Sequence, residues 1–452
     1  MIPLDFGKIL FFVATFFGIY TSIYFLLTLV ENWGRHITEV TKTIFPKVCI
    51  IVPCYNEEKT VGKTLNSLLE LDYPADLLEI IVVDDGSSDG TFEAASKFKA
   101  QGIKVFKKKN GGKYTALNFA LKKTNAQFVG ALDADSTVAK DSLKKIVSRF
   151  DANNSSRSSD ETDATVSRLL TTGDQSNQRK SATVMAVTPS MIIDKPRGFL
   201  RRIQSMEFIM GILLRRVFTD IGSQHVTPGP FTIYRKGFFE KYGYYKHAHN
   251  TEDIEVALRI QSHNFVIENA TDAYVFTHGP STFSSLYKQR LRWYAGFIKN
   301  VFDYRRLISS EHGNLGLFIL PSSIISVFLL MVTITYALIL LIKNLIVSFY
   351  HYWLIGFDPS QLFKFHFDTF FINTGPVAIL GIIALLLSLF ILGFAMNFSK
   401  EKNVLGSYVL FVVFYPWLFA FWWSISAIYS LTGRKIGWGH KSEELNTKMK
   451  TG

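Results

Sequence analysis

Residues 47–57 read KVCIIVPCYNE, residues 79–90 read EIIVVDDGSSDG and residues 128–135 read FVGALDAD. Each is a short run of Val, Ile and other apolar residues that stops at polar, turn-forming ones. Such runs lack the alternation of a half-exposed strand and read as strands buried on both faces, as in a parallel sheet. Helical spacing of Val61, Leu65, Leu68 and Leu69 separates the first two. Strands alternating with helices predict a doubly wound, Rossmann-like α/β sheet, in which ligands bind beyond the carboxyl ends of the strands. All three runs bring polar groups to that edge: Tyr55, Asn56 and Glu57, then Asp84 and Asp85, then Asp133 and Asp135. One acidic strand end is an ordinary cap or turn. Three on one edge point to a site.

The Asp133-Ala134-Asp135 pair can bring two carboxylates to one hard divalent cation, which prefers oxygen ligands. Such a cation can bridge a diphosphate and neutralise a leaving nucleoside diphosphate. Upstream, Gly111 and Gly112 permit close approach of the backbone, and Lys113 can pair with phosphate as a point charge. No G-x-x-x-x-G-K-[ST] pattern occurs, which disfavours a P-loop ATPase. Thr251-Glu252-Asp253 opens a helical pattern and reads either as an acidic N-cap or as a general base for an acceptor hydroxyl. In Gln289-Arg290-Leu291-Arg292-Trp293, Gln289 and Arg292 share a helix face with Trp293 beside them. That offers an amide, a phosphate-binding guanidinium and an aromatic surface for a sugar ring, or equally an anchor at a membrane surface.

Outside this unit the composition points to a membrane. Apolar residues make up 48% of the 452 and charged ones only 19%, below the ~25% usual in soluble domains. Disordered and collagen-like chains are excluded, and two cysteines, Cys49 and Cys54, exclude a disulfide scaffold. Four uncharged runs, Ile9 to Val30, Leu315 to Ile342, Gly375 to Ser399 and Asn403 to Gly433, each exceed the ~18 residues needed to cross a bilayer. The first reads as an uncleaved anchor, because it lacks a basic leader and a small-residue cleavage site. The expected layout is an anchor at 1–31, a catalytic domain at 32–312, an α-helical transmembrane bundle at 313–433 and a basic tail at 434–452. Residues 151–181 read as a polar insertion. Apolar stripes with basic ends near 199–218 and 290–308 read as helices at the membrane surface.

Lys and Arg flank the membrane junctions of the central region, among them Arg35, Lys42, Lys47, Arg305 and Arg306. The positive-inside rule places that region in the cytoplasm of an integral membrane protein. The basic tail should then be inside too, yet four crossings put it on the opposite side. Either one run is re-entrant, or one long run hides a bent pair of crossings extended by Tyr350 to Phe357, or the tail breaks the rule. The net charge of +12 suits membrane junctions and anionic phosphates. No stripe of interleaved basic and aromatic residues for nucleic acid appears outside those junctions.

In order and spacing, Val52-Pro53-x-Tyr55-Asn56-Glu57, Val83-Asp84-Asp85-Gly86-Ser87, Asn110-Gly111-Gly112-Lys113, Asp133-Ala134-Asp135, Thr251-Glu252-Asp253 and Gln289-x-x-Arg292-Trp293 resemble the membrane-integrated synthases of glycosyltransferase family 2. That group makes cellulose, chitin, hyaluronan and poly-N-acetylglucosamine. The resemblance implies a GT-A fold, a UDP-sugar donor, Mg²⁺ or Mn²⁺, and inversion at the anomeric carbon. It implies that Tyr55, Glu57, Asp84 and Asp85 hold uridine and ribose, that Lys113 lies near the diphosphate, and that Asp133 and Asp135 mark the donor and metal site. Asp253, with Glu252 beside it, would be the base, while Gln289, Arg292 and Trp293 close over the donor and grip the acceptor. Trp438-Gly439-His440-Lys441 is similar to a gating element of hyaluronan and chitin synthases. The chain departs from relatives at Thr227-Pro228-Gly229-Pro230-Phe231, where a small acceptor-site segment is common, and at His278-Gly279-Pro280, where an acidic residue is common.

The leading expectation is a processive inverting enzyme that elongates a β-linked polysaccharide and passes it through its own spans, alone or with helper subunits. The alternative is single-sugar transfer to a lipid acceptor such as a polyprenyl phosphate or glycolipid. An inactive sensor or a transporter should have lost at least one acidic motif, and none is missing.

Overall fold

The computed structural model describes residues 6–32, 45–150, 183–355, 375–398 and 405–434. The predicted apolar runs form the strands β1 (Val48–Cys54), β2 (Leu78–Asp84) and β4 (Phe128–Ala131), joined by β3 (Lys104–Lys107) in a parallel half-sheet. Val48, Ile50 and Val52 pack on one face and Cys49, Ile51 and Val83 on the other, which is why the runs do not alternate. Helices α2 (Val61–Leu69), α3 (Thr91–Ser96) and α4 (Lys113–Leu121) make the crossovers. Beyond β4 the sheet turns mixed. The full order is β3-β2-β1-β4-β7-β6-β8-β5, with β5 (Thr137–Val138), β6 (Val184–Ile193), β7 (Ile233–Arg235) and β8 (Val266–Thr277). β7 runs antiparallel to β4 and β6, and β6 pairs parallel with β8. The doubly wound expectation therefore holds for the first half only.

Four helices are long and apolar enough to cross a membrane. The first is α1 (Phe6–Glu31). After α5 (Ser142–Arg149), α6 (Phe199–Asp220), α7 (Lys236–Tyr242), α8 (Glu252–Ser262) and α9 (Phe283–Asp303) come the other three, α10 (Leu320–Ile355), α11 (Pro376–Phe398) and α12 (Leu405–Leu431). The bent pair, one of the alternatives for the long run, is not seen among the described residues. Residues Leu315–Leu354 make one unbroken 40-residue helical stretch, opening with a π-helical turn over Leu315–Ile319. Residues 151–182 and 435–452, which include the insertion and Trp438–Lys441, lie outside the described residues.

The two amphipathic stretches form as helices, and their stripes meet the chain's own membrane helices. On α6, Met206, Ile209, Leu213 and Val217 pack against Leu29 of α1, Leu392 and Ala395 of α11, and Tyr408 of α12. On α9, Tyr294 stacks on Trp423 of α12 with ring centroids 4.7 Å apart. The α9 helix begins at Phe283, earlier than its expected start at 290.

α9 and α6 are joined by an ion pair whose arginine is buried and whose glutamate is partly so. Arg290, fully buried at 0% exposure, donates from Nη2 to Glu207 Oε2 at 2.6 Å. Its guanidinium also lies over the ring of Trp293 at 4.2 Å. Removing one partner of a buried pair leaves an uncompensated charge. Glu207→Ala should therefore destabilise the detergent-solubilised protein by about 3–5 kcal/mol, whereas Glu207→Leu combined with Arg290→Met should recover most of that loss. Thermal unfolding of the single and double variants measures both.

Candidate functional site

The loops after β1 and β2 lock together and form the floor of the predicted edge. Asn56, in the left-handed region at φ 57°, donates from its amide to Ser87 Oγ at 3.0 Å, and its side chain accepts from the Ser88 amide at 2.9 Å. The Glu57 amide donates to Thr91 Oγ1 at 2.8 Å. Gly86 has φ 77°, and a Cβ there would lie 2.8 Å from the Asn110 amide nitrogen. Only glycine lets the loops after β2 and β3 meet so closely.

Both residues of the Asp84-Asp85 pair are buried, and both carboxylates are already engaged with the protein. Asp84 accepts from the Ser87 amide at 3.1 Å and from the Ser87 hydroxyl, with Lys107 Nζ at 3.7 Å. Asp85 accepts from Lys108 Nζ at 2.5 Å, from the Gly112 amide at 2.7 Å and from the Gly111 amide at 3.1 Å. Asp85 thus shapes the Asn110-Gly111-Gly112 loop. Tyr55 and Glu57 stand half-buried at the rim. The Glu57 carboxyl accepts from Thr60 Oγ1 at 2.5 Å, yet burial, with Asp135 and Asp133 nearby, pushes its pKa up.

The acidic centre is assembled from three distant segments around one ammonium. Lys113 Nζ lies 2.7 Å from Asp133 Oδ1 and 3.5 Å from Glu252 Oε1. A Cβ on Gly229 would approach that nitrogen to 3.2 Å, so the Thr227–Phe231 segment forms part of the same wall. Burial works against the Lys113 charge, but Asp133, Glu252 and Asp253 outweigh it and hold the ammonium above its ordinary pKa. Burial raises Asp135, and the neighbouring Asp133 charge adds to it. Asp253 is pushed up to about 6, by burial first and by Glu252 next, against the opposing charges of Lys113 and Arg292. Its backbone carbonyl accepts from Thr227 Oγ1 at 2.7 Å, which fixes the start of α8.

On α9, Gln289 Oε1 accepts from Arg290 Nη1 at 3.2 Å. Arg292 is close enough to Asp253 to act on its charge, and its buried Nε has no hydrogen-bond partner among the described residues. Trp293 lies under the Arg290 guanidinium. The structure thus brings together Lys113, Asp133, Asp135, Glu252, Asp253 and Arg292, while Asp84 and Asp85 act on the loops behind them. Sequence reasoning missed Glu207 and Asn300, and marked Thr227 only as part of a departure from relatives. Of the two missed, only Asn300 left a signal, its spacing from Trp293 on one helical stripe.

The acidic residues fit a divalent cation in an incomplete way. Asp133 and Asp135 repel each other beside Glu57, an excess of negative charge that a hard cation would relieve. Among the described residues no three His, Cys, Asp or Glu side chains group closely enough to hold a metal unaided. Phosphate oxygens and water would have to complete the shell, as they commonly do for Mg²⁺.

Asp85→Ala removes the acceptor for two backbone amides and the Lys108 ammonium. Hydrogen exchange across residues 108–113 should speed up by about tenfold or more, as expected where each lost buried bond weakens the loop by ~1–3 kcal/mol. Exchange in β1 should stay unchanged.

Residues 49–243 match the family model described as glycosyl transferase family 2. Over 386 residues the chain is 28% identical to a poly-beta-1,6-N-acetyl-D-glucosamine synthase of Staphylococcus epidermidis, covering 84% of this chain and 81% of that protein. A synthase of the same description from S. epidermidis RP62A is 26% identical over 426 residues, covering 91% and 90%. Among solved structures, the mannosyltransferase PcManGT from Pyrobaculum calidifontis, in complex with GDP-Man and Mn²⁺, superposes with a TM-score of 0.51 at 18% identity, covering 93% of this chain and 99% of that one. That likeness covers the fold, so the expected GT-A architecture stands. The chain is a glycosyltransferase built on a GT-A fold, similar over residues 49–243 to glycosyl transferase family 2, with helices apolar enough to span a membrane.

Proposed function

We propose that this glycosyltransferase is an inverting, processive synthase that extends a β-linked polysaccharide from a UDP-sugar, with UDP-N-acetylglucosamine as the first candidate donor. The observation that carries the reading is the placement of Asp253: half-buried at the start of α8, set between Glu252, Lys113 and Arg292 beyond the strand ends, and raised to about 6. A carboxylate with such a pKa is a better proton acceptor than an exposed one, and remains ionised at neutral pH. Similarity to the staphylococcal poly-beta-1,6-N-acetyl-D-glucosamine synthases supports the polymer and the sugar.

In this reading the acceptor hydroxyl gives its proton to the Asp253 carboxylate as its oxygen attacks the anomeric carbon from the face opposite the diphosphate. The bond to the diphosphate breaks, and UDP leaves with the electron pair. The Lys113 ammonium, Gln289 and Arg292 bind the diphosphate, and Trp293 supports the acceptor end by stacking. Tyr55 and Glu57 face the uridine, and Asp84 and Asp85 hold the loops that enclose it. Asp133 and Asp135 would hold a divalent cation, Mg²⁺ or Mn²⁺, whose contribution is to neutralise charge on the leaving diphosphate.

The seam between α9 and α12 supports passage of the product through the membrane. The indole nitrogens of Trp422 and Trp423 and the hydroxyls of Ser426 and Ser430 are buried there without hydrogen-bond partners among the described residues. Aromatic faces with spare polar groups suit a sugar chain. The basic residues at the membrane junctions support a cytoplasmic catalytic domain.

Asp253→Asn should abolish sugar transfer while UDP binding survives in calorimetry; full activity in this variant would remove Asp253 from the role of base. The base must be ionised, so kcat should fall as pH drops through about 6, approaching a tenfold loss per unit below it. With purified full-length protein and a panel of UDP-sugars, UDP release should be greatest with UDP-N-acetylglucosamine, and the product should size as a ladder. A single lipid-linked sugar as the only product would favour the lipid-acceptor reading instead.

A further inference from the structure

Thr251 precedes Glu252 and Asp253 but does not cap their helix with its side chain. Its hydroxyl donates to the Ala248 carbonyl at 3.0 Å and accepts from Asn300 Nδ2 at 2.8 Å. The turn it closes is a strained one. Ala248, His249 and Asn250 have φ of 42°, 54° and 66°, three non-glycine residues in succession in the left-handed region. Each is disfavoured there by its own Cβ, and such a conformation persists only where the surroundings enforce it.

The surroundings here are the second half of α9. Asn300, 1% exposed, donates from Nδ2 to the Ala248 carbonyl at 3.2 Å, to Thr251 Oγ1 at 2.8 Å and to the Gly296 carbonyl at 3.0 Å. The amide has two hydrogens for these three acceptors, so it must share them and cannot rotate without losing some. One turn earlier, a Cβ on Gly296 would lie 2.3 Å from Thr251 Oγ1, so glycine is what lets the turn lie flat on the helix. At the outer end His249 Nε2 and Asp303 Oδ2 are 2.9 Å apart. Gln289, Trp293, Gly296, Asn300 and Asp303 recur at spacings of three and four and so share one stripe of α9.

We infer that Asn300 is a positioning residue for sugar transfer: seated beside Gly296, it locks the left-handed turn at 248–250 and thereby fixes Asp253 at the donor site. One stripe of α9 then carries the substrate-facing Gln289 and Trp293 in its first half and holds the base in place with its second. This inference rests on the reading of Asp253 as the base.

The test uses full-length protein in detergent. Asn300→Ala, and Asn300→Asp, which keeps the volume but loses the donors, should lower kcat by about 10–100-fold, the penalty of a displaced catalytic group, with KM for the donor and UDP affinity changed less than about twofold. Adding Ala248→Gly to Asn300→Ala should recover a severalfold part of the lost kcat, because glycine holds a positive φ without being clamped. Residual structure is checked by thermal unfolding and by UDP binding. Wild-type kcat in Asn300→Ala, alongside an inactive Asp253→Asn, would overturn the positioning role and leave the base reading intact. A kcat loss matched by lost UDP binding and not relieved by glycine would also overturn it, since Asn300 would then act in folding alone. Retained activity in Asp253→Asn would overturn both.

Discussion

The Lys113 ammonium, 2.7 Å from Asp133 and 3.5 Å from Glu252, is the counter-charge on which the acidic centre depends. Asp133 ends the segment after β4, Glu252 opens α8 and Lys113 opens α4, and the sheet order alone brings those three places together. Without the ammonium, four half-buried carboxylates (Asp133, Asp135, Glu252 and Asp253) would repel one another where water screens them only in part. Asp253 and Asp135 stay raised even with Lys113 present, by burial first and by the neighbouring carboxylates Glu252 and Asp133 next. A site left short of positive charge in this way is well suited to an anion that brings its own cation.

α9 carries the second constraint. It is held to α6 through Arg290 and Glu207, to α12 through Tyr294 and Trp423, and to the turn before α8 through Asn300. The amphipathic helices therefore do not rest on the bilayer alone. Their apolar faces are covered by α1, α11 and α12, so the catalytic domain and the membrane helices share a packed boundary.

The parallel half of the sheet was legible because it is buried on both faces, and uninterrupted Val and Ile leave few other readings for KVCIIVP and EIIVVDD. The mixed half was not. β6 contains Thr188, Pro189 and Ser190, and a proline argues against a central strand; the structure accommodates it with a register shift between Pro189 and Ser190. β8 carries Glu268, Asn269, Thr271 and Asp272, polar residues that look like a loop until Asn269 is seen donating to the Thr188 carbonyl at 3.1 Å. In the site, Lys113, Asp133 and Asp253 could be picked out from chemistry and order. That Asp84 and Asp85 bond to their neighbours' backbone and side chains could not, because a carboxylate at a strand end reads the same whether it faces a ligand or a loop. The Glu207–Arg290 pair spans 83 residues of sequence, and no local pattern announces it.

Among the described residues the sheet ends at β3 on one side and β5 on the other. An unpaired strand edge is a template for another copy of the same strand, and a membrane confines copies to two dimensions at high local density. β5 is only two residues long. β3 places Lys104 and Lys107 at its ends, with side chains 55% and 48% exposed. One edge is too short to recruit a neighbouring strand and the other is guarded by like charge. Neither edge thus offers a long, uncharged strand to a neighbouring copy.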